Sequence, residues 1–201
     1  MKTVISGILA GISIAIGGTV FLLCESKITG AVFFSVGLFS VCVFGFSLFT
    51  GRVCYVFDHD RSYAVKLPLI WLGNLIGSLI VAFLEMQTRL APQLMEKAGD
   101  ISRTKLSQGI PSAFILAVLC DIMIYTAVEG YRTISHEAGK YLAVFFGVTV
   151  FVICGFEHCV ANMYYFTVGN AWSGKAVLYL MVMTAGNAVG GVLIPLLRKA
   201  A

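Results

Sequence analysis

The sequence predicts an all-α integral membrane protein with six transmembrane helices, built as an inverted repeat of three plus three. Three observations carry this. First, the 201 residues are 59% hydrophobic and only 12% charged, where a soluble domain carries about a quarter charged residues; the mean hydropathy is +0.92. Second, the apolar residues fall in six long segments, each with room for the roughly 20 residues that a helical span needs. Third, short words recur in the same order in the two halves of the chain.

The segments are read in order. Residues 3–24 carry no charge and form the first span. They are too long and too Gly-rich for a signal peptide, whose apolar core is short, and further spans follow. Residues 28–51 are uncharged and run on past Arg52 into Val53–Phe57. Residues 67–84 form span three. Residues 86–105, with Arg89, Glu96, Lys97, Asp100, Arg103 and Lys105, are expected as the longest loop. Residues 106–128 form span four, interrupted by Asp121. Residues 141–169 are apolar except for Glu157 and His158, and residues 176–197 form span six before Arg198 and Lys199. The whole chain, 1–201, is thus one membrane domain, with repeat one at about 1–85 and repeat two at about 106–201.

Segments two and five exceed a simple span. As continuous helices of about 1.5 Å rise per residue they would overrun a hydrocarbon core of about 30 Å. The second and fifth helices are therefore expected to break, near 47–53 and 155–160. The repeat points to the same places. Gly45-Phe46 returns as Gly155-Phe156 at an offset of 110, Gly73-Asn74-x-x-Gly77 as Gly186-Asn187-x-x-Gly190 at 113, and Ile8-Leu9-Ala10 as Ile115-Leu116-Ala117 at 107. Three spans per half make the second half enter from the opposite side. Inverted repeats with paired broken helices mark transporters and channels, whose site lies where the breaks meet.

Charge excludes some functions and weakly orients the chain. The net charge of +4 comes without a basic run or basic-aromatic interleaving, so no nucleic-acid partner is expected. With both termini on one side, eight Lys and Arg residues (2, 52, 61, 66, 132, 140, 198, 199) face six on the other (27, 89, 97, 103, 105, 175). This favours cytoplasmic termini in the cell membrane. The six cysteines, at 24, 42, 54, 120, 154 and 159, show no CxxC pair or disulfide-scaffold spacing and read as free thiols.

Glu157 and His158 are the strongest chemical signal, because ionisable groups at membrane depth are costly and mark pathways. His158 shares a helical face with Asn162, four residues on, and Phe151 lies seven residues before it on nearly the same stripe. Phe34 and Leu38 are likewise four apart. Thr50 and Gly51 follow Phe49 at the expected break. A metal centre wants several ligands, and His59 and His136 lie in loops, so no metal site, cofactor or catalytic set is expected.

Gly155-Phe156-Glu157-His158-Cys159-Val160-Ala161-Asn162-Met163 resembles the signature of the formate/nitrite transporter family. Gly45-Phe46-Ser47-Leu48-Phe49-Thr50-Gly51 resembles that family's loop in its broken second helix, and the Gly-Asn-x-x-Gly words fit as well. The resemblance implies aquaporin-like protomers assembled as a homopentamer in membrane lipid, each with its own pore for a small monovalent anion such as formate, nitrite or hydrosulfide, with protons as co-substrate. It implies His158 as the central pore histidine and proton donor, faced by Thr50. Phe49, Phe151 and Ile124 are expected to close an outer constriction, and Phe34 with Leu38 a cytoplasmic one. Lys105 is expected to draw anions to the outer vestibule, with Glu157 and Asn162 supporting the histidine. An aquaporin-like neutral-solute pore is the alternative, disfavoured by the absence of an Asn-Pro-Ala word; a membrane enzyme or metal transporter using Glu157 and His158 ranks below it.

Three departures from the family's pattern accompany the resemblance. Asp121 stands where an Asn is usual, and is expected to be neutral and to donate a hydrogen bond, or else to pair with Lys105. The proline that usually follows the Asn-Met word is replaced near Thr167. The chain starts almost at span one, without the usual N-terminal cytoplasmic helix.

Overall fold

A computed structural model describes residues 1–201, all in helices and their connections. The helices are α1 (Lys2–Leu23), α2 (Lys27–Phe44), α3 (Phe49–Val53), α4 (Arg61–Glu85), α5 (Ala91–Ser107), α6 (Ile110–Thr133), α7 (Glu137–Cys154), α8 (Cys159–Val168) and α9 (Gly174–Ala200). A 3-10 turn, Val56–Asp58, lies between α3 and α4. Six of them, α1, α2, α4, α6, α7 and α9, are long and apolar enough to cross a membrane. Side chains that accept otherwise orphaned amide hydrogens set the starts of α2, α4 and α9: Ser26 from Thr29 N–H, Asp60 from Tyr63 N–H and Ser173 from Ala176 N–H.

Helices α1 and α4 pack side by side in the same direction, and so do α6 and α9. Small residues allow the close approach. A Cβ on Gly77 would stand 2.1 Å from Ile8 O, and one on Gly190 would stand 2.1 Å from Val118 O. Equivalent contacts join Gly73 to Val4 O and Gly186 to Phe114 O. The matched pairs Val4 with Phe114, Ser6 with Leu116 and Ile8 with Val118 fix the first-span offset at 110 residues. The offset of 107 expected from Ile8-Leu9-Ala10 is therefore one helical turn short. An apolar tripeptide repeats easily along a span, and packing against the glycines selects the register.

Both long segments break. Gly45 and Gly155 take φ of 68° and 69°, the left-handed region that ends a helix and favours glycine. Phe46 N–H then reaches back to Val41 O and Phe156 N–H to Phe151 O, at 3.0 Å each. The helix restarts at Phe49 in the first half and at Cys159 in the second. The breaks thus occupy 45–48 and 155–158. The first lies earlier than expected, because residues 49–53 are already helical.

The segment expected as the longest loop is mostly helix. Residues Ala91–Ser107 form α5, with Pro92 in its first turn. Leu94, Ala98, Gly99 and Ser102 recur at helical spacing as its buried face. Ser102 Oγ donates to Tyr165 O at 3.2 Å, which docks α5 on α8.

Candidate functional site

Each break is pinned by one fully buried asparagine. Asn74 Oδ1 accepts from Phe49 N–H (2.8 Å), while its Nδ2 donates to Gly7 O (2.8 Å) and Ser47 O (2.9 Å). Asn187 repeats this: Oδ1 accepts from Cys159 N–H (2.9 Å), and Nδ2 donates to Ala117 O and Glu157 O at 2.8 Å each. Ser47 N–H donates to Ser6 O, and Glu157 N–H to Leu116 O, at 3.2 Å each. Unwound backbone inside a membrane needs such partners. The repeated Gly-Asn-x-x-Gly words therefore supply both the close helix approach and the clamp on the break.

The breaks meet at Thr50 and His158. Thr50 Oγ1 lies 2.9 Å from His158 Nε2. His158 caps α8, its Nδ1 accepting from Ala161 N–H at 3.1 Å. The ring stacks on Phe151 with centroids 5.6 Å apart. Because Nδ1 accepts a hydrogen bond, the neutral ring carries its hydrogen on Nε2 and directs it at Thr50.

Glu157, 2% exposed, gathers three donors. Lys105 Nζ lies 2.5 Å from Oε2, Asn162 Nδ2 donates to Oε2 at 2.8 Å, and Gln108 Nε2 donates to Oε1 at 2.7 Å. Asn162 Nδ2 also faces Met183 Sδ at 3.0 Å, and Asn162 Oδ1 is buried without a partner.

Two cavities flank this centre and share no lining residue. One, of about 400 Å³, opens on the α5 side and is lined by Phe34, Lys105, Phe151, Glu157, His158 and Asn162, among others. The other, of about 260 Å³, opens on the face that carries the C-terminus; Leu38, Leu48, Gly51, Arg52, Tyr55 and Arg132 line it, with others. They are built from matched positions. Gly155, Phe156, His158, Ala161, Asn162 and Tyr165 of the first correspond, 110 residues back, to Gly45, Phe46, Leu48, Gly51, Arg52 and Tyr55 of the second.

The aromatic and aliphatic residues group differently from the expectation. Phe34 lies against Phe151, with centroids 6.0 Å apart, on the α5-side cavity. Leu38 lies on the other cavity with Leu48. One helical turn, about 5.4 Å of rise, is enough to set Phe34 and Leu38 on opposite sides of the closure. Phe49 and Ile124 are packed in the core, 7% and 1% exposed, and line neither of these cavities. Sequence reasoning missed Leu48. The offset of 110 that matches Gly45-Phe46 with Gly155-Phe156 places Leu48 opposite His158, so the signal was present in the repeat.

Asp121 does not pair with Lys105, which is committed to Glu157 because α5 folds back over the cavity. Nor does it donate a hydrogen bond. It is fully buried, and neither carboxyl oxygen has a partner. Oδ2 stands against Gly191 and near Cys54, where a Cβ on Gly191 would come within 2.8 Å of the oxygen. An ionised carboxylate would have no compensation there. Asp121→Asn is therefore expected to keep thermal stability within about 1 kcal/mol of wild type and to leave anion flux unchanged from low to neutral pH. A loss of several kcal/mol in a detergent unfolding titration would show that the carboxyl is charged and used.

A six-span helical fold whose two interrupted helices meet between two blind cavities defines a membrane transport protein of the channel-like type. Residues 1–200 match the family model described as "Formate/nitrite transporter", and the chain belongs to that family. It is 31% identical to the "Probable formate transporter" of Methanothermobacter thermautotrophicus over 96% of this chain and 85% of that protein. It is 30% identical to the "Uncharacterized transporter YrhG" of Bacillus subtilis (strain 168), covering 83% of this chain and 68% of that one. Among solved structures, a "Pentameric formate channel with formate bound" superposes with a TM-score of 0.86 at 25% identity, over 98% of this chain and 95% of that chain.

Proposed function

We propose that the chain is a channel or proton-linked transporter for a small monovalent anion of the formate, nitrite or hydrosulfide class, acting in the cell membrane as a homopentamer with cytoplasmic termini. The observation that carries this is one polar pair, Thr50 and His158, set between two apolar closures. Phe34 and Phe151 form the closure on the α5 side, and Leu38 and Leu48 form the one on the terminal face.

A bare anion crossing such closures loses its hydration at a cost of many kcal/mol. Adding one proton removes the charge and most of that cost. Lys27, exposed on the α5-side cavity and outside any ion pair, attracts the anion, and the neutral acid crosses. His158 serves best as a neutral hydrogen-bond donor. A second ring proton would sit on Nδ1, facing the Ala161 N–H and abolishing the α8 cap. The transferred proton therefore comes from water in the vestibule, while Nε2–H and the Thr50 hydroxyl replace hydration between the closures. The exposed apolar side chains of the six spans, such as Phe33, Phe83, Phe146 and Leu197, face lipid and neighbouring protomers.

Phe151→Ala tests the closure. Removing the ring opens the contact with Phe34 and uncovers the histidine. Proteoliposomes carrying it are expected to pass formate several-fold faster and to lose discrimination against larger monocarboxylates such as butyrate. Flux and selectivity equal to wild type would remove Phe151 from the pathway.

A further inference from the structure

The two cavities repeat one another in shape but not in charge. On the α5 side the lining holds Lys27 and Lys105 together with Asp100 and Glu157; Glu157 pairs with Lys105 and Asp100 with Arg103, which leaves Lys27 as the one lining lysine outside an ion pair. On the terminal face it holds Arg52 and Arg132, with His59 at the rim, and no carboxylate. The repeat shows how this arises. Glu157, which neutralises Lys105, corresponds to Ser47, whose hydroxyl is taken by Ser6 at 3.0 Å. Asn162, an uncharged member of the Glu157 network, corresponds to Arg52.

The two guanidinium groups are also weakly committed. Arg52 makes no ion pair. Arg132 lies over the Tyr55 ring, 4.2 Å from its centroid, and reaches Glu129 only at 4.0 Å. Glu129 is occupied elsewhere, accepting from Tyr55 Oη at 2.8 Å and from Arg198 at 3.3 Å. The cavity's polar wall is completed by Tyr55, Tyr63 and Tyr131, and its floor is the apolar pair Leu38 and Leu48. A concave site walled by low-dielectric material focuses the field of its cations and concentrates anions. Guanidinium groups suit the oxygens of planar and tetrahedral oxyanions.

The structure assigns this terminal-face cavity as a binding site for a divalent oxyanion, built by Arg52 and Arg132, that occupies the vestibule in competition with the permeant anion. The assignment rests on the reading of the chain as an anion pore. Charge also explains retention. One proton neutralises a monovalent anion and lets it pass Leu38 and Leu48. A dianion with one proton is still charged, and the apolar floor stops it. The α5-side cavity, with Lys105 paired and two carboxylates in its lining, lacks the arginine pair. The pore is thus open to inhibition by multivalent anions from the terminal face alone.

Inorganic sulfate is the probe. Binding of radiolabelled sulfate to the detergent-purified full-length protein, measured by equilibrium dialysis at low ionic strength, is expected to be saturable. It should weaken roughly tenfold or more in Arg52→Gln, recover in Arg52→Lys, and persist in Lys27→Gln, which alters the α5-side cavity without breaking a buried pair. Raising the salt to about 0.1 M should weaken it by screening. In membrane vesicles, sulfate on the terminal face should raise the half-saturating formate concentration for flux out of that face, and sulfate on the other face should not. Absence of saturable sulfate binding to wild type, or binding lost in Lys27→Gln but kept in Arg52→Gln, overturns the assignment. If sulfate binds through Arg52 but wild type carries no formate, the pore reading fails and the dianion site stands. If formate flows and sulfate does not bind, the dianion site fails alone.

Discussion

Gly190→Val is expected to prevent assembly of a stable protein. The new Cβ alone would stand 2.1 Å from Val118 O and 2.8 Å from Val118 C, both backbone atoms within α6. Neither can rotate away, so α9 must move off α6. Overpacking in a core typically costs 1–3 kcal/mol and occasionally more; here the obstacle is backbone, and about 3 kcal/mol or more is expected. Parting the two helices also displaces Asn187 from the Cys159 N–H and the Glu157 carbonyl, which loosens the break that holds His158. Gly77→Val should act alike on α1 and α4, through Ile8 O and Ile12 N. The check is size-exclusion elution after a temperature series in mild detergent. A melting curve like that of wild type would mean that the helices are not in this contact.

Glu157→Leu is the second substitution with a large expected effect. It removes the acceptor of Lys105, Gln108 and Asn162 at one stroke. The lysine side chain is 13% exposed, so it is left as a largely buried, unpaired charge. Breaking one side of such a pair costs about 3–5 kcal/mol, and α5 is expected to lose its anchor over the cavity. Adding Lys105→Met to Glu157→Leu should recover a large part of the loss, because the double variant leaves no buried charge. Glu157→Gln, which keeps the shape and one acceptor oxygen, should be milder than Glu157→Leu. These unfolding energies form a double-mutant cycle. Strict additivity of the two single substitutions would show that Lys105 and Glu157 are not coupled.

The six spans were legible because a membrane imposes a simple demand. About 20 apolar residues must run together, and the polar residues between them mark the turns. The breaks were legible as excess length plus a glycine, although Gly45 was placed better by its repeat in Gly155 than by the length argument. Other features were hidden because they depend on contacts between segments distant in sequence. The segment 86–105 is polar, and its helical face of Leu94, Ala98 and Ser102 has meaning against helices distant in sequence, α8 foremost. The grouping of Phe34 with Phe151 depends on how α2 and α7 cross, which no spacing within α2 can report. Likewise the choice of Glu157 over Asp121 as partner for Lys105 follows from the fold of α5, not from separation along the chain. The arginine pair on the terminal face comes from α3 and α6, which only the fold brings to one cavity.

The most direct measurement is formate flux into proteoliposomes of the wild-type protein, followed by stopped-flow light scattering alongside glycerol, with and without an inward proton gradient. The account predicts rapid formate entry that the gradient accelerates, abolished in Thr50→Val/His158→Leu, and no glycerol entry above that of empty liposomes. Rapid glycerol entry with no formate flux in either condition would contradict it.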